Sequence, residues 1–271
     1  MIVPALTWLY VPADRPDRVE KAIASRAHAV IVDLEDGVPA GAKRKARANV
    51  AALLAGGRDK PVFVRINAGD EADLELVGRL SLSGVVVPKV ERPEDVPAGL
   101  AVHALVESAR GVEAAFEIAS HPGVHGISLG EADLRSQTGA LEAGLDWPRA
   151  RIVNAAVAAG LPRPPQSVYP HIRDLEGLTR SCRRGRELGH LGRAAIHPDQ
   201  LEPIEHAFLP RQSEVDAARA TVEKIEGAGA GTIDGGAFVD PAMLGAARNV
   251  LALADAYGVA PSSGCHGSTV V

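Results

Sequence analysis

The sequence predicts an α/β protein: a (β/α)8 TIM barrel followed by a C-terminal extension of helix, lid and helix. Three observations lead there. Short apolar runs alternate with longer amphipathic or Ala-rich stretches. The runs number eight, the strand count of such a barrel. Several end abruptly in a charged residue, as barrel strands do where they open into a site. A doubly wound open sheet is the rival architecture.

In chain order, Leu6–Val11 leads through Pro12-Ala13-Asp14-Arg15 to a helical stretch over Asp17–Arg26. Ala29–Leu34 runs into Glu35-Asp36-Gly37, and Ala40–Ala55 follows as helix. Val62–Ile66 carries Arg65 at its end and precedes Glu71–Leu80. Gly84–Pro88 delivers Lys89 and is followed by Glu94–Gly99. Val102–Val106 ends in Glu107, ahead of Val112–Ser120. Gly126–Leu129 runs into Gly130-Glu131-Ala132-Asp133-Leu134, and the next helical pattern is Pro148–Ala159. Ser167–Tyr169 with Asp174–Leu188, then Arg193–Ile196 with Pro198–Ala207, complete the count.

Past Leu209 the alternation stops, so the expected division is a barrel over 1–209 and an extension over 210–271. Ser213–Glu226 reads as an amphipathic helix, with Ser213 as N-cap and Gly227 as its stop. A glycine-dense loop over 228–236 reads as a hinge, a lid or a plain connection. It leads through Phe238-Val239-Asp240-Pro241 into a last helix, Ala242–Tyr257, and the tail Pro261–Val271 is expected to fray.

Hydrophobic residues make up 46% of the 271, which suits a sheet covered on both faces. The 29 basic and 34 acidic residues give a net charge of −5, which argues against nucleic acid or a polybasic membrane contact. The two cysteines, Cys182 and Cys265, are far apart and read as free thiols of a reducing compartment. The apolar start lacks a basic leader and a cleavage pattern, and no stretch reaches transmembrane length. A cytoplasmic protein is expected.

Two carboxylates, Glu107 and Asp133, sit where consecutive strands open into the barrel mouth. With no Cys or His cluster beside them, they suit a hard cation such as Mg²⁺, which prefers oxygen ligands. The competing reading makes them caps of the helices that follow. Arg65 can grip a substrate carboxylate in a bidentate way, or it can pair with Glu35 or Asp36. Three acids, Asp33, Glu35 and Asp36, cannot all stay charged in one small cleft without partners. At least one should orient Arg65 or Lys89, and one is available to hydrogen-bond metal-bound water. Lys89 reads as an ion-paired residue, or as a Schiff-base lysine in a metal-free aldolase. His197 reads as a structural hydrogen-bonder rather than a base. Asp240 fits the N-cap of the last helix, with Pro241 at its first position, and equally a proton-transferring acid on a lid.

In order, these motifs resemble the citrate lyase β-subunit and HpcH/HpaI aldolase superfamily. The resemblance rests on Tyr10-Val11-Pro12-Ala13-Asp14-Arg15-Pro16, Val32-Asp33-Leu34-Glu35-Asp36-Gly37, Val64-Arg65-Ile66-Asn67-Ala68 and Val87-Pro88-Lys89. It continues through Leu105-Val106-Glu107-Ser108-Ala109-Arg110-Gly111, Gly130-Glu131-Ala132-Asp133-Leu134, Ile196-His197-Pro198-Asp199-Gln200 and Phe238-Val239-Asp240-Pro241. It implies Mg²⁺ on Glu107 and Asp133, and a 2-oxo acid gripped by Arg65 and the metal. It also implies that the Asp matching Asp240 sits on a lid supplied by a neighbouring subunit of a homotrimer.

The chain departs from the pattern at Gly130-Glu131-Ala132-Asp133, where many relatives read Gly-Ala-Glu-Asp. It departs again at Arg193, where a Lys is usual, and in the segment before Asp240. The expected function is a Mg²⁺-dependent carbon–carbon lyase joining or parting an acyl-CoA thioester and a 2-oxo acid. The alternatives are a class II aldolase on 2-oxo-3-deoxy acids without CoA, and a catalytically decayed trimeric binding protein.

Overall fold

The computed structural model describes residues 4–233 and 236–259. Asp234, Gly235, Cys265 and the tail expected to fray lie outside the described residues. Ala5–Phe208 form one compact unit; the described residues from Leu209 onward, with Pro4, form a second.

The first unit is built on a curled parallel sheet of seven strands. They are β1 (Thr7–Pro12), β2 (Ala29–Asp33), β3 (Val62–Arg65), β4 (Gly84–Val87), β5 (Val102–Val106), β6 (Val124–Leu129) and β7 (Arg193–Ala195). Their spatial order is β6-β5-β4-β3-β2-β1-β7, so each strand from β1 to β6 lies beside its predecessor. This order follows from strand–helix–strand crossovers of one hand. β2, β4 and β5 are buried at every position, as strands covered on both faces must be. β1 and β3 alternate buried with half-buried residues, and the half-buried Trp8, Tyr10 and Arg65 line a central cavity.

The strand expected over Ser167–Tyr169 is not formed. In its place Gln166 makes an isolated parallel bridge to Arg193, with its N–H donating to Gly192 O at 2.9 Å and its carbonyl accepting from Ala194 N at 2.9 Å. The neighbouring prolines, Pro164 and Pro165, lack the N–H groups that a longer ladder would need.

Among the described residues, nine α-helices follow one another around the sheet of the first unit. α1 (Pro16–Ala24) starts on a proline, and α2 (Lys43–Leu54) follows a 3₁₀ turn over Ala40–Ala42. α3 (Glu71–Val77) is capped by Asp70, which accepts from Asp73 N. The helix expected over Glu94–Gly99 is only a 3₁₀ turn, Pro93–Asp95. The helix expected over Val112–Ser120 divides at Ala114 into α4 (Ala109–Glu113) and α5 (Ala115–Ala119). α6 (Glu131–Thr138) was not foreseen, because its residues are largely polar; it ends at Gly139 in the left-handed conformation, φ 70°. α7 (Asp146–Ala158) and α8 (Leu175–Glu187, capped by Asp174) precede β7, and α9 (Leu201–Phe208) closes the unit.

In the second unit, α10 (Gln212–Ala228) packs along α11 (Leu244–Ala256). Arg211 rather than Ser213 occupies the N-cap, and the helix runs past Gly227 to stop at Gly229. The glycine-dense segment is an antiparallel hairpin, β8 (Gly231–Thr232) against β9 (Phe238–Val239). Among the described residues no helix is long and apolar enough to cross a membrane.

Candidate active site

Parallel strands that all begin at one end must deliver their last residues to the other. Arg65 ends β3, Glu35 and Asp36 follow β2, Lys89 follows β4, and Glu107 follows β5. Asp133 lies in the first turn of α6, just beyond β6. All but Glu35 and Lys89 border one cavity of about 470 Å³ that runs down inside the curled sheet. An opening above it is bordered by Asp36, Lys89, Glu107 and Asp133. A larger groove of about 700 Å³ lies to one side, with Arg92 and Arg110 on its walls, but it touches neither Arg65 nor the Glu107–Asp133 pair.

Arg65 is held from two sides. Its Nε and Nη2 donate to the two carboxylate oxygens of Asp33, 2.7 Å each, and its Nη1 lies 2.9 Å from Glu35 Oε2. The guanidinium also sits 5.0 Å from the centre of the Tyr10 ring. Burial works against its charge, but the Asp33 hydrogen bonds and the Asp33 and Glu35 charges outweigh it, so its proton is held more tightly than usual. The chief partner is therefore Asp33, its register partner on β2, with Glu35 second; Asp36 makes no ion pair with it.

Lys89 pairs with Glu35 at 2.7 Å, and the hydrogen bond it donates to Glu35 raises the lysine's proton affinity despite partial burial. A lysine held protonated in this way is a poor amine nucleophile, which removes the Schiff-base reading. Lys89 is the one non-glycine residue with positive φ among those described, at 57°. That backbone turn aims its N–H at Glu107 Oε2, 3.1 Å away. Lys43 fixes the loop beneath by donating to Leu34 O, Glu35 O and Asn67 Oδ1 at 2.6, 2.6 and 2.9 Å.

Glu107 is 8% exposed and does not cap the helix after it; Ser108 does, accepting from Gly111 N at 3.1 Å. A Cβ on Gly130 would fall 2.4 Å from Glu107 Oε1, so only glycine lets that carboxylate lie over the start of α6. Burial first, then the charges of Glu35 and Asp133, raise its pKa to about 7. Asp133 is exposed, and no side-chain cap forms at the α6 N-terminus.

Among the described residues no group of three or more His, Cys, Asp or Glu side chains is arranged to hold a metal. A site for Mg²⁺ does not need one, since one or two carboxylates suffice when water and substrate oxygens complete the octahedron. Glu107 and Asp133 fit that description. They are oxygen donors whose mutual repulsion a cation would relieve, and Glu107 accepts a single hydrogen bond.

Two features of the site were not legible as motifs. Glu131 is clasped by Arg149 of α7 through Nε–Oε1 at 2.8 Å and Nη2–Oε2 at 2.7 Å, both groups being buried. This pair anchors the helix turn that carries Asp133. His103 and Ser128 lie deeper in the cavity and share a 2.9 Å hydrogen bond.

His197 turns out as expected, accepting from Asp199 N at 3.2 Å. In the second unit Asp240 caps the turn before α11, accepting from Ala242 N at 2.9 Å, with Pro241 next.

The sequence model of the HpcH/HpaI aldolase/citrate lyase family matches residues 6–100 and 97–198. A (3S)-malyl-CoA thioesterase of Cereibacter sphaeroides is 34% identical over 93% of this chain and 95% of its own. The crystal structure of CitE from Mycobacterium tuberculosis with magnesium, acetoacetate and coenzyme A superposes with a TM-score of 0.81, at 33% identity. That match covers 94% of this chain and 100% of the other. A citrate lyase β-subunit structure from M. tuberculosis, complexed with oxaloacetate and magnesium, gives 0.68 at 34% identity over 76% of this chain and 97% of that one.

Proposed function

The chain belongs to the HpcH/HpaI aldolase/citrate lyase family, and we propose that it is a Mg²⁺-dependent carbon–carbon lyase of the citryl-, malyl- or citramalyl-CoA type. The observation that carries this reading is the juxtaposition in one cavity of two carboxylates and an immobilised guanidinium. Glu107 and Asp133 would hold Mg²⁺, and the reading is supported by the magnesium present in the structures of the similar M. tuberculosis proteins. When bound, the cation acts as a Lewis acid toward the oxygens of a 2-oxo acid.

The protein's own groups do the rest. Asp33 holds Arg65 through Nε and Nη2 and Glu35 through Nη1, so the remaining hydrogens of Nη1 and Nη2 are left to meet the substrate carboxylate. Lys89 neutralises Glu35 and keeps Arg65 available. Cleavage breaks the bond between the hydroxyl-bearing carbon and the α-carbon of the thioester. The hydroxyl gives its proton to solvent water as the oxo group forms, the bonding pair passes to the thioester α-carbon as an enolate, and that carbon then gains a proton. Asp240 is the acid that supplies it, carried by residues 210–271 as a lid over the barrel of a neighbouring subunit in a homotrimer. Gln166 bridges to β7 at one residue, and the next residue's hydroxyl, Ser167 Oγ, accepts from Glu131 N at the start of α6 at 3.3 Å.

A second reading, thioester hydrolysis, is favoured by the similarity to a malyl-CoA thioesterase. Products separate the two. Incubation of malyl-, citramalyl- and citryl-CoA with enzyme and Mg²⁺ should release a 2-oxo acid and an acyl-CoA, and EDTA should stop it. Free CoA thiol with no 2-oxo acid would establish hydrolysis instead. No turnover of any of the three would reject the reading.

A further inference from the structure

A TIM-type barrel interior is normally filled by layers of bulky side chains. Here one side is filled, by Ile31, Val86, Leu105 and Phe63. Toward β6 and β7 the residues facing inward are small, namely Ser128, Gly130 and Ala194. The cavity therefore descends below the level of Arg65 and Glu107 and ends on Trp8, His103 and Ser128.

The floor is polar at one spot only. His103 and Ser128 are 9% and 8% exposed, and both border the cavity. Their shared hydrogen bond uses one ring nitrogen and the hydroxyl. Either tautomer leaves a donor over. If Nε2 accepts from the hydroxyl, Nδ1 carries a hydrogen with no partner; if Nε2 donates, the hydroxyl hydrogen is free. Among the described residues their shared hydrogen bond is the one that either side chain makes; Nδ1 faces Gly126, and Trp8, 5.5 Å away between ring centres, stands beside Ile31 and Leu105. Burial also depresses the His103 pKa, to about 4, so the ring is neutral near pH 7. A buried donor without an acceptor is costly unless a ligand or water supplies one.

We propose that this lower cavity is a specificity subsite that receives the substituent of the 2-oxo acid and favours one with an uncharged hydrogen-bonding group, a hydroxyl or carbonyl. The proposal rests on the lyase reading, which puts the oxo and carboxylate groups of that acid at Arg65 and the Glu107–Asp133 pair directly above. A carboxylate-bearing substituent finds no second cation at the floor: the guanidiniums bordering the cavity are those of Arg18 and Arg65, and Arg65 is taken up by the oxo acid's own carboxylate. A two-carbon oxo acid, with only hydrogen in place of the substituent, would leave the lower space to water.

The test is calorimetric titration of the full chain, with saturating Mg²⁺, by pyruvate, 2-oxobutanoate and 4-hydroxy-2-oxobutanoate. The hydroxylated acid should bind about tenfold more tightly than 2-oxobutanoate, the worth of one buried hydrogen bond. In Ser128→Ala that ratio should fall to near one, and in Ser128→Leu both longer acids should lose about tenfold relative to pyruvate. A purely structural role for Ser128 would weaken all three acids alike and leave the ratio intact. A wild-type ratio near one, or a ratio unmoved in Ser128→Ala, overturns the subsite. Absence of Mg²⁺-dependent pyruvate binding by the wild type would instead overturn the lyase reading beneath it.

Discussion

Lys89 N donates to Glu107 Oε2 at 3.1 Å, from a backbone held at φ 57°, while its Nζ reaches Glu35 at 2.7 Å. One residue thus fixes the inner carboxylate of the candidate metal pair and neutralises the acid behind Arg65. Left-handed backbone at a lysine costs on the order of 1 kcal/mol, and the two contacts hold it there.

Glu107 should behave as a destabilised group awaiting a cation. Its pKa of about 7 in the fold lies above the ordinary 4.5, so the fold gains from its protonation at low pH and loses that gain as pH rises through 7. Metal-free Glu107→Gln should therefore be more stable than wild type at pH 8, by on the order of 1–3 kcal/mol, while losing Mg²⁺ affinity. Wild-type Mg²⁺ affinity should fall below pH 7, approaching tenfold per pH unit. Denaturant titration and calorimetry at pH 6, 7 and 8 check both parts.

Two buried histidines set the acid limit of the fold. Burial depresses His103 and His190 to about 4, against about 6.5 in an unfolded chain. Between those values the unfolded state binds more protons, so their contribution to stability falls as pH drops below 6.5 and is spent near 4. Each contributes at most about 3 kcal/mol to that fall. His103→Phe should flatten the stability profile between pH 6.5 and 4; a profile identical to wild type would mean that His103 titrates alike in the folded and unfolded chain.

The Arg149–Glu131 clasp should aim Asp133. Arg149→Met orphans the buried Glu131 and should cost about 3–5 kcal/mol. Adding Glu131→Leu removes the orphan and should recover most of that stability. Mg²⁺ affinity, read by calorimetry, should stay low in the recovered double variant, because the first turn of α6 has lost its anchor. Restored stability together with wild-type Mg²⁺ affinity would show that Asp133 is positioned without the clasp.

Asp240 is tested by complementation. Asp240→Asn should bind Mg²⁺ and a 2-oxo acid yet turn over poorly, and Arg65→Ala should fail to bind the acid. Mixing them under conditions of verified subunit exchange should restore activity if the lid acts on a neighbouring barrel. Exchange without recovery would place Asp240 on its own barrel or outside the reaction.

The strands from β1 to β6 were legible because apolar runs that end in charges mark both the element and its working end. Where backbone pairing rather than composition decided, the sequence misled. Ser167–Tyr169 has strand-like residues, but prolines on its N-terminal side leave only the Gln166 bridge. α6 has too few apolar residues to announce itself, although it carries Asp133. Among the acids after β2, Glu35 and Asp36 were the named partners for Arg65. The register opposing Asp33 and Arg65 on adjacent strands makes Asp33 the main one. His103 and Ser128 belong to no motif; their importance arises only where β5 and β6 bring them together.

The bridge at Gln166 makes the wall of the first unit uneven around its circumference. Every other neighbouring pair of strands shares a ladder of three or more residue pairs, whereas here one residue spans the seam on the β7 side and a serine hydroxyl meets the β6 end. Breathing of the sheet is cheapest where the fewest hydrogen bonds must open together. Solvent exchange with the buried floor at His103 and Ser128 would thus have a route through the side of the first unit, separate from the charged mouth.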